Sequence, residues 1–253
     1  LAMAIAPSFG LYIYHILQDF KWLFGVALIT AFIGLAVLVT LETNSTRRPV
    51  QTNKKLSLDR FFLTRAWLLA INIALFGFCF GVLSNYLAIY SKEKYGVMDG
   101  TGTYFMLLSV GLFLSRLQGA KALRQGYITR NTAHGMLLSL LGYTLFVAVP
   151  FPYGYYISAI LIGLGNGHMY PGFLNMFINV AHHNERGTAN SSILTSWDFG
   201  FGIGILAGGM IAELFDYTAA FWMVAVVNGI GVLLFFTAAR RFFLMHNLNE
   251  DVF

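Results

Sequence analysis

Charged residues are scarce in this sequence, and cysteine and proline are scarcer still. Asp, Glu, Lys and Arg make up 11% of the 253 residues, whereas apolar types make up 57%. Ordinary globular chains carry about 25% charged residues, so this chain cannot cover a water-soluble surface, and its mean hydropathy of +0.67 indicates lipid as the main solvent. The single cysteine excludes an intrachain disulfide framework or a cysteine-built metal site, and five prolines beside 24 phenylalanines exclude collagen-like or disordered material.

The net charge of +5 does not predict a nucleic-acid partner. Nucleic-acid-binding domains cluster Lys and Arg on one face to neutralise phosphates. Here the cations lie between long apolar runs, which is typical of membrane topology. The sequence therefore predicts an integral membrane protein that does not bind nucleic acid.

Eight apolar runs are predicted to form membrane-spanning helices. A bilayer core about 30 Å thick needs roughly 20 apolar residues of helix. The runs cover residues 1–17, 22–41, 66–90, 97–117, 131–149, 154–180, 187–212 and 217–239. The stretch between Arg130 and Glu185 contains no charged residue and is too long for one span, so a turn is predicted at Pro150-Phe151-Pro152-Tyr153-Gly154. The fold class is an all-α, polytopic helical bundle.

The distribution of Lys and Arg predicts how the spans are oriented. Alternate loops and the C-terminal end hold thirteen of the 16 cations, and the other side holds only Lys21, Lys92 and Lys94. Because cytoplasmic loops carry the excess of Lys and Arg, we expect a multi-pass protein with a cytoplasmic C-terminus.

The first ten residues are already hydrophobic and contain no basic residue. A signal peptide would begin with a positively charged region. We expect a helix cut in its middle, and the alternative is a natural start with a reduced first span.

Asp198 is the most deeply placed acidic residue in the predicted spans. It lies 12 residues after Arg186 and 15 before Glu213, near the middle of the seventh span. A carboxylate in hydrocarbon costs about 2.5 to 3.5 kcal/mol, so it normally faces protein or a water-filled cavity. Thr188, Ser191, Ser192, Thr195 and Asp198 recur at helical spacing and predict a polar stripe. The alternative for the small and polar residues is helix packing, which the small-xxx-small pattern of Gly200, Gly204 and Gly208 also indicates.

His168, Asn175 and Asn179 share one predicted face of the sixth span. Either His168 is a neutral structural histidine that donates to a backbone carbonyl, or it contacts protons or substrate. Asn85 is a further polar residue within the third span. The predicted substrate and proton pathway consists of Asp198, His168, Asn175, Asn179, Asn85, Thr195 and Ser191.

Motifs of soluble-type catalysis are absent from the sequence. It contains no G-x-S-x-G, no P-loop and no H-E-x-x-H. No catalytic residue, metal site or cofactor is predicted, and we do not expect an enzyme. The alternative is a membrane-embedded enzyme or binding scaffold that uses His168 and Asp198 on a lipid-borne group.

Four groups of residues carry a resemblance to a known family. They are Ala6-Pro7-Ser8-Phe9-Gly10; Tyr104-Phe105 with Ser115 to Gly119 and Arg124-Gln125-Gly126; Gly163 to Gly167 with Tyr170-Pro171; and Arg186 to Asn190 followed by Asp198-Phe199-Gly200. In this order and spacing the chain resembles the major facilitator superfamily, specifically its bacterial drug:proton antiporter-like exporters. The groups are similar to parts of that family's helices five, eight, ten and eleven.

The resemblance implies a division of the chain. Residues 1–41 would be the truncated last two helices of an N-terminal half, 42–65 a central cytoplasmic loop, 66–241 a C-terminal six-helix domain, and 242–253 a cytoplasmic tail. Helices one to four of the family would be missing. The conformational and packing motifs would be Pro7, Gly10, Arg116, Gly119, Arg124, Gly163, Gly167, Pro171, Arg186, Gly200, Gly204 and Gly208.

The resemblance also implies a function. Two six-helix halves would rock about a midplane site and export small molecules, driven by a proton gradient. Asp198, together with His168, would sense protonation or contact substrate. The implied partners are the lipid bilayer of the cytoplasmic (inner) membrane, a small-molecule substrate and the missing N-terminal helices.

Overall fold

The computed structural model describes residues 10, 12–13, 16–17, 19–40, 62–96 and 100–248, and this part of the chain contains helices and turns but no strand. The long helices are α1 Phe20–Thr40, α2 Trp67–Tyr95, α3 Gly100–Arg124, α4 Ile128–Ala148, α5 Tyr153–Val180, α6 Arg186–Leu214 and α7 Tyr217–Leu234. A π-helical segment, Phe235–Ala239, joins α7 to α8, Arg240–His246. The predicted all-α helical bundle is confirmed. Pro7, most of the predicted first span and most of the predicted central loop lie outside the described residues.

Helix ends follow local chemistry rather than hydropathy alone. The predicted turn falls between Ala148 and Tyr153, as the prolines indicate. Gly96 ends α2 with a φ of 66°, a left-handed value that favours glycine. Asp216 caps α7 by accepting a hydrogen bond from the Ala219 amide at 2.6 Å. Helices α2 and α3 extend past the C-terminal ends of the predicted spans. Hydropathy identifies only the apolar part of a helix, whereas charged residues can continue the helix beyond it.

Close helix pairs form the frame of the bundle. Helices α3 and α4 both pack along α5, and α2 packs along α6. Glycines allow this approach: a Cβ atom on Gly135 would lie 2.6 Å from the Gly165 carbonyl oxygen, and one on Gly163 would overlap the Leu108 carbonyl. Small residues at such crossings let helix backbones touch in lipid, where apolar burial gives little drive for association.

The interior contains two apolar layers and a few buried amides. One layer centres on Phe173 and Phe177, and the other on Tyr104 and Phe146. Asn72, which is fully buried, donates to the Gly231 carbonyl at 2.9 Å and so ties α2 to α7. Buried Asn228 donates to the Ser139 hydroxyl at 3.1 Å and ties α7 to α4. These two bonds hold α7 against α2 and against α4.

The outer surfaces are apolar, as a lipid-facing protein requires. On α7, Trp222, Val226, Ile230 and Leu233 form an exposed stripe at helical spacing. Among the described residues, four helical stretches are long and apolar enough to cross a membrane: Lys21–Thr40, Thr64–Tyr95, His183–Leu214 and Tyr217–His246. Helices α3, α4 and α5, which coincide with predicted spans, are not among these four stretches.

Replacing Gly204 with Ala should separate α2 from α6. The new Cβ would overlap the Phe78 carbonyl oxygen, and such overpacking typically costs about 1–3 kcal/mol. We expect a lower midpoint of thermal unfolding in detergent, followed by tryptophan fluorescence. The matched control is Gly202→Ala on the same helix, where a Cβ meets nothing within 4 Å. Equal midpoints for the two variants would contradict the close packing.

Candidate functional site

The glycine face of α6 determines where Asp198 lies. Gly200 and Gly204 face α2, where Cβ atoms would overlap the carbonyls of Ala74 and Phe78. Asp198 precedes Gly200 by two residues, which places it about 160° around a 3.6-residue helix from that packed face. Its side chain is exposed. The carboxylate therefore belongs to the unpacked side of α6 near the middle of the helix.

An aromatic cluster joins three helices next to Asp198. The ring of Trp197 on α6 lies 5.6 Å from Tyr170 on α5 and 5.9 Å from Phe80 on α2, measured between centroids. Phe201, one turn further along α6, lies 6.3 Å from Phe80. Asp198 directly follows Trp197 in the chain, about 100° further around the helix, so the carboxylate adjoins the cluster in sequence. These four aromatic residues are called the aromatic cluster below.

The predicted polar stripe on α6 divides into two faces. Ser192 is buried, as is Ser196, which the predicted stripe did not include, and the Ser192 hydroxyl accepts a hydrogen bond from the Leu63 amide at 2.7 Å. Ser191 and Thr195 are exposed, as Asp198 is. Thr195 borders an apolar groove of about 460 Å³ between α2 and α6. Buried Ser192 is used for packing, whereas a lining role for exposed Ser191 and Thr195 stays a prediction.

His168 lies at a junction of α3, α4 and α5. Its Nδ1 is 2.9 Å from the Oδ1 of Asn131, and the Nδ2 of Asn131 donates to the His168 carbonyl at 2.8 Å. Because the amide nitrogen is committed to that carbonyl, Oδ1 is the acceptor and Nδ1 carries the proton. Gly119 of α3 covers the pair, since a Cβ there would lie 2.9 Å from Nδ1. The hydrogen-bond partner of His168 is on α4, whereas Asp198 is on α6.

The predicted asparagines are bonded mainly within their own helices. Asn175 donates to the Pro171 carbonyl at 2.8 Å, and exposed Asn85 donates to the Gly81 carbonyl at 3.0 Å. Asn179 is buried, and its backbone carbonyl accepts a hydrogen bond from the Leu248 amide at 3.0 Å. None of these bonds joins the three residues to one another or to Asp198.

The predicted motif residues serve several local purposes. Gly167 lies against Ser115 of α3, and Pro171 stands inside α5. Gly208 packs against Val82 and Tyr86, whereas among the described residues the Leu23 side chain lies near the Cβ position of Gly10. Arg116 and Arg124 are exposed on α3. Arg186 begins α6 directly after Glu185, whose Oε2 lies 3.2 Å from Nη2 of Arg65.

Two features of this region were missed from the sequence. The aromatic cluster combines residues from three helices, so only a tertiary contact shows it. Asn131 could have been identified from the sequence, because it is a polar residue at the start of an otherwise apolar run. A buried asparagine there needs a partner, and His168 was the candidate for that partner.

Replacing Asn131 with Ala should destabilise the junction of α3, α4 and α5. The change removes both bonds to His168, and a buried group left without a partner costs about 1–3 kcal/mol. The midpoint of thermal unfolding should fall. Asn175→Ala is the control, because within the described part of the chain the Asn175 side chain donates to a carbonyl of its own helix. A drop of the same size in both variants would argue against a special role for the pair.

Comparison with known proteins gives one family match. The family model for the Major Facilitator Superfamily matches residues 131–244, from the first turn of α4 into α8. A search of curated proteins found no match. The matched residues, taken with the all-helical bundle, support a membrane transporter of the Major Facilitator Superfamily.

Proposed function

We propose that this chain belongs to a secondary active transporter that exports small molecules by alternating access, with proton flow as the energy source. The observation that carries the proposal is the Asp198 carboxylate, exposed at mid-helix directly after Trp197 of the aromatic cluster. The match to the Major Facilitator Superfamily supports transport as the class of activity. It also favours transport over a membrane-embedded enzyme.

An exposed carboxylate in the middle of an apolar helix needs water or a protein partner. Hydrocarbon contact would cost about 2.5 to 3.5 kcal/mol. Transporters of inverted-repeat architecture place substrate sites near the midplane between two halves. The unpacked side of α6 would then face the partner half across an aqueous pathway, with Ser191 and Thr195 nearby as polar lining.

The aromatic cluster and Asp198 together define a substrate class. Tyr170, Trp197 and Phe80 offer flat apolar surfaces, and the carboxylate attracts positive charge. Aromatic faces also bind cations directly, at about 0.5–2 kcal/mol per contact. Small amphiphilic molecules, cationic ones above all, match this combination.

Coupling to protons follows if a proton and a substrate compete for Asp198. A protonated carboxyl group no longer attracts a cation, so proton binding on one side would release the substrate there. Linkage makes this effect reciprocal. Exchange of protons for substrate requires no further cofactor.

We further propose that the α3–α4 turn and the C-terminal end face the cytoplasm of a bacterial inner membrane. Lys121, Arg124 and Arg130 surround that turn, and Arg240 and Arg241 lie at the end of the last long helix. Their excess over Lys92 and Lys94 at the opposite end supports this orientation.

Asp198→Asn should abolish proton-driven transport while leaving the fold intact. The protein that carries both halves would be reconstituted in proteoliposomes with an imposed pH gradient, and a panel of fluorescent lipophilic cations and neutral amphiphiles would be followed. We expect gradient-driven movement of at least one compound to fall to the leak rate, because the amide neither binds a proton nor attracts a cation.

The matched control is Glu213→Gln, an exposed carboxylate near the end of the same helix. It should transport at the wild-type rate. Wild-type rates in Asp198→Asn would remove this carboxylate from the mechanism. A panel with no gradient-dependent compound would argue against proton coupling.

Cysteine labelling tests the orientation. The chain's single cysteine, Cys79, is fully buried, so new cysteines can be introduced without removing it. In intact cells a membrane-impermeant maleimide should label Lys92→Cys and leave Lys121→Cys unlabelled until the membrane is opened. The reverse pattern would invert the topology.

A further inference from the structure

A cleft with both polar and apolar lining residues lies between α3 and α4, apart from the α6 face that carries Asp198. It has a volume of about 630 Å³, with Asn131 and His168 among its lining residues. The cleft exists because α3 and α4 both pack along α5 and touch each other only lightly. Gly111 and Gly135 draw the two helices onto α5, where Cβ atoms would meet the α5 backbone.

The surrounding helices hold positive charge without any carboxylate. Helices α3, α4 and α5 contain no Asp or Glu, and their charged residues are Arg116, Lys121, Arg124 and Arg130. Arg130 lines the cleft itself, together with His134. An anion that enters the cleft would meet a cation that no acidic residue of these three helices neutralises.

The α4 wall of the cleft changes from polar to apolar along its length. Arg130, His134, Leu137 and Leu141 follow at spacings of four, three and four residues and therefore share one helix face. The change extends over about 16 Å at 1.5 Å per residue. Helix α3 contributes Gln118 and Ala122, and Gln125, directly after the end of α3, lies at the same end of the cleft as Arg130. Exposed Tyr127 lies at the mouth, as aromatic residues do at membrane interfaces.

We propose that this cleft binds an anionic glycerophospholipid. The phosphate pairs with Arg130, and Gln125 and His134 hydrogen-bond the headgroup. One acyl chain lies along Leu137, Leu138 and Leu141. A soluble anion would use only the polar end and leave this leucine wall uncovered, so the cleft as a whole matches a molecule with a charged head and a long apolar tail. The inference does not depend on the transport proposal.

Native mass spectrometry of the detergent-solubilised protein tests the proposal. The probes are palmitoyl-oleoyl phosphatidylglycerol and phosphatidylcholine with the same acyl chains. We expect the first phosphatidylglycerol molecule to bind more tightly than phosphatidylcholine. Arg130→Gln should weaken phosphatidylglycerol binding about fivefold, the effect of one basic residue at an anionic membrane surface. Phosphatidylcholine binding should be unchanged by this variant.

The matched control is Arg240→Gln, an exposed cation at the same end of the bundle but outside the cleft. It should bind phosphatidylglycerol as the wild type does. A second variant, Leu137→Trp, fills the apolar part of the cleft and should weaken binding of both lipids. If Arg130→Gln does not fold, the Leu137→Trp variant tests the lipid-binding proposal instead.

A third arm adds glycerol 3-phosphate, which carries the headgroup anion without acyl chains. It should not displace phosphatidylglycerol at equal concentration. Displacement would identify a soluble-anion site and overturn the lipid assignment. Equal affinities for the two lipids, or wild-type binding in Leu137→Trp, would overturn it as well.

Discussion

The structure depends on direct contact between helix backbones. Helices α2 and α6 meet through Gly77, Gly81, Gly200 and Gly204. A Cβ atom added at any of these positions would overlap a carbonyl of the other helix. The α3–α5 and α4–α5 pairs use the same device. In lipid, apolar side chains gain little by leaving one greasy environment for another, so shape-matched backbones and interhelical hydrogen bonds must hold the bundle.

This constraint also determines which side chains remain available. A helix face that is used for glycine contact cannot carry function, so the functional groups of α6 must lie elsewhere on its surface. Asp198 is nearly opposite the glycine face, and Ser192 and Ser196 are used for packing instead. His168, in contrast, lies directly at such a contact between helices. It stands where three helices meet and is fixed there by Asn131.

Two chemically distinct regions result, on different sides of α5. On one side, Tyr170 contacts Trp197, the residue that directly precedes Asp198 in the chain. On the other, His168 helps to line a cleft that is basic at one end and rich in leucine along its length. The first region is matched to a small amphiphile that exchanges with a proton, and the second to a lipid that remains bound. Sequence reasoning grouped His168 with Asp198; in the structure the hydrogen-bond partner of His168 lies on α4 and Asp198 is exposed on α6, and their joint role stays a prediction.

The sequence by itself determined that the chain is helical and apolar enough for a membrane, and it placed most ends of the described helices within a few residues, except the C-terminal ends of α2 and α3. Composition, the spacing of charge and the prolines at 150 and 152 are local signals, because membrane helices satisfy their backbone hydrogen bonds internally. Only the tertiary structure decided which face of each helix is packed. An Asp, a Ser and a His at helical spacing look alike until the neighbouring backbone is known. The aromatic cluster, the His168–Asn131 pair and the cleft between α3 and α4 all depend on contacts between residues far apart in the chain, and periodicity within one helix carries no information about its neighbours.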